Sequence, residues 1–209
     1  MSDDFNKSIA KLECYEGSKQ VFKPIIVNIG KNGLGWGLGE VKLSQKSADP
    51  LKHEGDKKAP AGVFKLRALF GYSKKSDYLM PYLYTSENLI CVDDSKSSFY
   101  NQIITAHGDE KSFEFMKRKD NQYKLGIVVE HNKDAIASRG SCIFMHVQKG
   151  NNKGTAGCTS MKEEDIKKIA NWLDKSKNPI LIQIPKSSSE EILRLYPELK
   201  ESSLLKEEG

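Results

Sequence analysis

No run of apolar residues in this 209-residue chain approaches the ~20 needed to cross a bilayer as a helix. The opening Met1-Ser-Asp-Asp-Phe-Asn-Lys7 is polar and acidic, so it is not a secretory leader. There is no Cys-x-x-Cys pair and no second histidine four residues after His53, so neither a zinc ribbon nor a zincin motif is present. The glycine-dense Gly33-Leu-Gly-Trp-Gly-Leu-Gly39 has Leu38 where a dinucleotide-binding loop requires its third glycine. No Gly-Lys-Ser/Thr follows, which leaves a tight turn-rich loop around Trp36. Basic residues are interleaved with acids rather than with aromatics, giving a net charge of +5 without a nucleic-acid stripe. Charged residues make up 29% and hydrophobic ones 38%, the balance of one folded domain with a sizeable core.

Against these absences one segment carries chemistry. Ser141-Cys-Ile-Phe-Met-His146-Val147 reads as a buried strand ending in histidine, and twelve positions later Cys158 follows in Thr155-Ala-Gly-Cys-Thr-Ser160. Ser160 and Glu163 have capping-box spacing ahead of a helix expected over 161–175, where Ile166, Ile169, Ala170 and Leu173 recur at helical spacing. That reading places Cys158 at a helix N-terminus, whose unpaired N–H groups and dipole favour a thiolate. Gly157 would admit close approach of a substrate, and the Gly157 and Cys158 N–H groups would bind an oxyanion. Taken singly, a cysteine is more often a buried hydrophobe and a histidine a satisfied structural residue. The joint order of strand histidine, loop, Gly-Cys and helix favours a thiol nucleophile with an imidazole base.

Elsewhere strands are expected over 11–15 and 24–29, joined by a turn at Gly17-Ser18, and over 63–69, 89–92, 101–106, 123–130 and 180–184. A short helix is expected over 110–118. Residues 1–10 read as a flexible lead-in, and 186–209 as a linker and a tail helix begun by Ser188-x-x-Glu191. Tyr72, Tyr78, Tyr82 and Tyr84 either wall a cleft or simply pack a loop. Asp93 and Asp94 are adjacent, so on a strand they point to opposite faces and do not flank one glycosidic bond. His53, Glu54 and Asp56 are equally read as turn chemistry or as a site for substrate amines. Buried free thiols are the plainer reading of Cys14, Cys91 and Cys142. In an oxidising compartment one disulfide would form among them, with Cys91–Cys142 the favoured pairing.

Three blocks in this order resemble the L,D-transpeptidase catalytic domain (YkuD-like) family. They are Glu54-Gly-Asp-Lys-Lys-Ala-Pro60-Ala-Gly-Val-Phe64, then Cys91-Val-Asp-Asp-Ser-Lys-Ser-Ser-Phe-Tyr100-Asn101, then His146 with Thr155-Ala-Gly-Cys158. The resemblance covers roughly residues 11–185 and implies a mainly β, β-sandwich-like domain with a few short helices. It implies Cys158 as nucleophile and His146 as base, with the Val147 carbonyl orienting the ring. It places Thr155, His53, Glu54, Tyr100, Asn101 and Ser160 in the substrate-binding set. It implies a transferase of cell wall biogenesis that acts on peptidoglycan stem peptides without cofactor or metal, in the periplasm or cell envelope. Export would require a leader ahead of this chain, and the sequence alone fits a cytoplasmic protein equally. Two departures stand out, Ala156 where the family commonly has a second histidine, and Val147 where it has glycine or serine. They leave the acceptor open between an amine and water. A hydrolase (carboxypeptidase or amidase), a non-catalytic wall-binding module and an effector against another cell's wall remain as alternatives.

Overall fold

The structure, a computed structural model, describes residues 1–206. Among the described residues fourteen strands and two α-helices follow one another. The first five strands are β1 (Ile9–Leu12), β2 (Tyr15–Glu16), β3 (Lys19–Gln20), β4 (Ile25–Asn28) and β5 (Leu34–Trp36). Then come β6 (Ala59–Gly71), β7 (Tyr82–Tyr84), β8 (Leu89–Val92), β9 (Ile103–Thr105), β10 (Phe113–Phe115) and β11 (Leu125–Val129). The site-bearing β12 (Phe144–Val147) and β13 (Thr159–Met161) precede α1 (Glu163–Trp172), β14 (Ile180–Gln183) and α2 (Ser189–Leu195).

The main sheet runs β1-β4-β13-β12-β11-β6-β14, with β5 and β7 also paired to β6. Thirteen residues long, β6 reaches this many partners along its length: Ala59 to Ala61 pair β5, Gly62 to Lys65 pair β14, and Leu66 to Gly71 pair β11, with Leu69 to Gly71 also pairing β7. Its Phe64-Lys-Leu-Arg alternation buries Phe64 and Leu66 and exposes Lys65 and Arg67, the period-2 signature of a half-buried strand. A second sheet, β10-β8-β9, has three strands.

Two cores result. One lies on the α1 side, where Ile166, Ile169 and Ala170 present a helical stripe to a cluster containing Leu69, Ile127, Met145 and Met161. Glu163, Glu164 and Asp165 in the first turn of α1 complement the helix dipole. The other core gathers Phe70, Leu89, Cys91, Met116, Tyr123, Cys142, Phe144 and Cys158. It joins side chains of the main sheet to those of the small sheet, and the candidate nucleophile belongs to it.

Several expectations are corrected here. Ser160 is a strand residue, paired with His146 and with Asn28, and α1 begins only at Glu163 with Lys162 as its cap residue and no side-chain cap bond. Burial in a three-strand ladder outweighed a local capping pattern. Residues 110–118 hold no helix; Phe113–Phe115 form β10, opposite Val92, Cys91 and Ile90, and the flanking residues are irregular. The Phe-Glu-Phe alternation matched an open edge of β8, and partner availability decided the outcome. Residues 1–10 are fastened: the Ser2 N–H donates to the Ile184 carbonyl at 3.0 Å, Phe5 packs edge-on against Trp36, and Ile9 and Ala10 lie in β1. The stretch after Pro185 also packs on the domain, burying Ile192 and Leu205 and bonding Ser202 to Glu13 at 2.6 Å. Ser188 precedes α2 without a side-chain cap bond.

Candidate active site

Strands β12 and β13 are parallel neighbours, with Met145 opposite Thr159, His146 opposite Ser160 and Val147 opposite Met161. Residues in register share a face, and alternate residues return to it. Phe144, His146, Cys158 and Ser160 therefore belong to one face, turned to the second core, while Met145 and Met161 enter the α1 core. Cys158 ends the connection just ahead of β13. Its Sγ accepts the Phe144 N–H at 3.3 Å and donates to the Cys142 carbonyl at 3.5 Å. It is a free thiol. Burial, followed by the negative charge of Glu114, pushes it up to about 12. The expected helix-stabilised thiolate does not hold, because a strand separates Cys158 from α1 and the resting group is a neutral thiol.

His146 Nδ1 lies 2.8 Å from the Val147 carbonyl. A carbonyl only accepts, so Nδ1 carries the proton and the neutral ring presents Nε2 as a lone pair. Burial lowers the imidazole to about 4, which keeps it neutral at physiological pH. The ring meets the Tyr123 ring edge to face at 5.2 Å between centroids. Tyr123 also belongs to the core that holds Cys158, and its hydroxyl donates to Glu114 Oε2 at 2.5 Å.

The loop before Cys158 is organised by Thr155. Its Oγ1 donates to the Cys158 carbonyl at 2.6 Å and accepts the Gly157 N–H at 3.1 Å. Gly157 has φ +154°, and a Cβ there would stand 3.1 Å from the Lys58 carbonyl. In the resting protein the Gly157 N–H is thus engaged within its own turn.

The other expected residues form a layer around this centre. Glu54 Oε2 accepts from the Tyr100 hydroxyl at 2.5 Å and from Ser141 at 2.7 Å. Tyr100 is buried, and burial first, then Glu54, raises its phenol pKa. Asn101, at φ +62°, spends its whole amide on the backbone: Nδ2 donates to the His131 and Asn132 carbonyls, and Oδ1 accepts the Cys142 N–H at 2.9 Å. It brackets the loops that carry His131, Asn132 and Cys142. His53 is exposed, and its N–H donates to Asp56. Asp56 also binds the Lys58 N–H and the buried Lys52 ammonium, the latter at 2.6 Å. The turn reading of this block therefore accounts for Asp56.

Cys91 and Cys142 are joined as a disulfide, linking β8 to the segment whose carbonyl meets the Cys158 thiol, while Cys14 is free and buried. Sequence reasoning missed Tyr123, Glu114 and Lys52. A carboxylate between two phenylalanines was the available signal for Glu114, since on a strand it must face opposite to both. A cavity of about 400 Å³ lined by Leu12, Cys14, Trp172, Ile180 and Leu205 contains none of the expected site residues.

A buried thiol just ahead of β13 and a neutral imidazole on the neighbouring β12 are groups that cysteine-based acyl chemistry can use. The family model of the L,D-transpeptidase catalytic domain (YkuD) matches residues 4–182, and the chain belongs to that family. Its members are typically enzymes acting on peptidoglycan. No curated protein and no solved structure matches the chain.

Proposed function

We propose that this domain transfers acyl groups between peptidoglycan stem peptides through a thioester on Cys158. The observation that carries this reading is the His146 Nδ1 to Val147 carbonyl bond, which leaves Nε2 as a base on the sheet face that bears a free thiol. Because the thiol rests protonated and the imidazole neutral, the proton leaves sulfur as sulfur attacks, rather than from a pre-formed ion pair. Sγ bonds to the carbonyl carbon of the residue preceding a D-amino acid, and the thiol proton moves to Nε2. The oxyanion is met by the Cys158 N–H, and by the Gly157 N–H once it leaves Thr155. Collapse breaks the C–N bond, and His146 returns the proton to the departing amine. An acceptor amine then attacks the thioester, gives its proton to His146 and releases the thiol. The setting is the cell envelope.

Mass spectrometry of tetrapeptide muropeptides incubated with the protein, with Cys158→Ala as control, tests this. Cross-linked dimers or D-amino-acid exchange products that vanish in the variant are expected. Tripeptides alone would make water the acceptor and the enzyme an L,D-carboxypeptidase. Turnover retained by Cys158→Ala would overturn the mechanism.

A further inference from the structure

Half of the expected oxyanion site is engaged in the resting protein, because the Gly157 N–H is spent on Thr155 Oγ1. A further donor stands next to it. The Lys52 side chain is 3% exposed and passes between the two segments that hold the thiol. On one side its stem lies against Gly140, where a Cβ would stand 2.9 Å from Lys52 Cε. That segment leads into Cys142, whose carbonyl accepts the Cys158 thiol. On the other side the ammonium faces Gly157, where a Cβ would stand 3.8 Å from Nζ. A Cα–Cβ bond adds about 1.5 Å, so Nζ is no more than about 5.3 Å from the Gly157 Cα. No side chain of residue 157 separates the two.

An ammonium has three N–H donors. Asp56 Oδ1 accepts one at 2.6 Å and the His53 carbonyl accepts another at 2.6 Å. The third has no partner among the described residues. Burying a charge with an unspent donor costs stability. The turn does not require that charge, since Asp56 also accepts the His53 and Lys58 N–H groups.

We propose that Lys52 is a further catalytic residue, whose ammonium gives its third N–H to the oxyanion formed when Cys158 attacks. The inference rests on the acyl-transfer reading above. As Sγ bonds to the carbonyl carbon, the C=O π pair moves onto oxygen and the thiol proton passes to His146 Nε2. The oxyanion accepts hydrogen bonds from the Cys158 N–H and from Lys52, which keeps its proton throughout. On collapse the electron pair returns to the C=O bond and the leaving group departs with its bonding pair. A fixed cation in a site shielded from water stabilises such a charge far more than it would in solution. Asp56 holds the ammonium in place and offsets part of its field.

Two reagents separate this role from a structural one. p-Nitrophenyl acetate acylates a thiol through an oxyanion, whereas iodoacetamide alkylates by displacement at saturated carbon and forms none. The full chain, with its disulfide intact, is treated with each, and the rate of modification of the Cys158 peptide is read by mass spectrometry. The ratio of acylation to alkylation cancels changes in the accessibility and protonation of the thiol. Lys52→Met combined with Asp56→Asn removes both charges and leaves no buried ion unpaired. It is expected to lower the ratio about a hundredfold, the loss typical of one oxyanion donor. A ratio within about threefold of the parent overturns the proposal. Should the double change prevent folding, Asp56→Asn alone decides. With the carboxylate no longer offsetting the ammonium, the ratio is expected to rise, and an unchanged or lower ratio refutes the role. A parent Cys158 inert to both reagents would remove the nucleophile and this proposal with it. Cys158-dependent transfer on muropeptides beside an unmoved ratio would sink only the role of Lys52.

Discussion

Removing the Cys91–Cys142 disulfide, by the double change Cys91→Ala and Cys142→Ala, should destabilise the domain and unsettle the nucleophile together. The bond spans 51 residues of sequence. In the chain-entropy account a loop of that size loses about 14 cal/mol/K when closed in the unfolded state, or about 4 kcal/mol at 25 °C. For a domain of this size a urea slope of about 2 kcal/mol/M translates that into a midpoint lowered by about 2 M. The same bond anchors Cys142, whose carbonyl accepts the Cys158 thiol at 3.5 Å and whose N–H is held by Asn101 at 2.9 Å. Cys158 should therefore become more accessible to alkylation in the double variant at urea concentrations well below its midpoint. Urea unfolding followed by tryptophan fluorescence, with alkylation measured in parallel, checks both parts. A midpoint within about 0.5 M of the parent would refute the entropic argument. A lowered midpoint with unaltered Cys158 alkylation would refute the claim that the disulfide positions the nucleophile.

His146 should leave a signature in the pH dependence of stability. Its pKa falls from 6.5 to about 4 on folding, so the unfolded chain binds the extra proton between those values. Stability from this group is complete above pH 6.5 and falls by about 1.4 kcal/mol per unit as pH drops towards 4. His146→Gln should flatten the urea-midpoint profile over that window, and identical slopes in variant and parent would contradict a buried neutral imidazole. Asn101→Ala should cost about 2–3 kcal/mol, since it strands buried backbone groups and puts alanine at positive φ. Its KM for muropeptides should stay near the parent value, whereas a large rise in KM without loss of stability would restore Asn101 to the substrate groove.

The site was legible in the sequence where chemistry and local order coincide. His146 ending an apolar run, then a turn with Gly157 and Cys158, needed no distant partner to be noticed, and the three blocks carried the family. What local pattern could not reveal was pairing. Ser160 followed by Glu163 three positions on is a sound capping signal, but Ser160 lies between β12 and β4 and was claimed by the sheet. Residues 110–118 carry enough charge to suggest a helix, and the edge of β8 drew Phe113–Phe115 into a strand instead. The favourable environment expected for a thiolate failed for the same reason, because it was inferred from a helix that begins five residues too late. The three groups that sequence reasoning missed all depend on contacts between segments far apart: Tyr123 with Glu114 and His146, and Lys52 with the turn around Gly157.

The fastening of Ser2 and Ser202 bears on how the protein can be handled. Ser2 is hydrogen-bonded beside Ile184, and Ser202 is bonded to Glu13, so both meet the body next to the α1 core rather than the core that holds Cys158. A fluorophore, a bead linker or a fusion partner joined ahead of Ser2 would leave the body beside the α1 core rather than beside the core that holds the thiol. Such immobilised protein should keep its reactive face open to polymeric wall fragments, which are too large to reach a site pressed against a support.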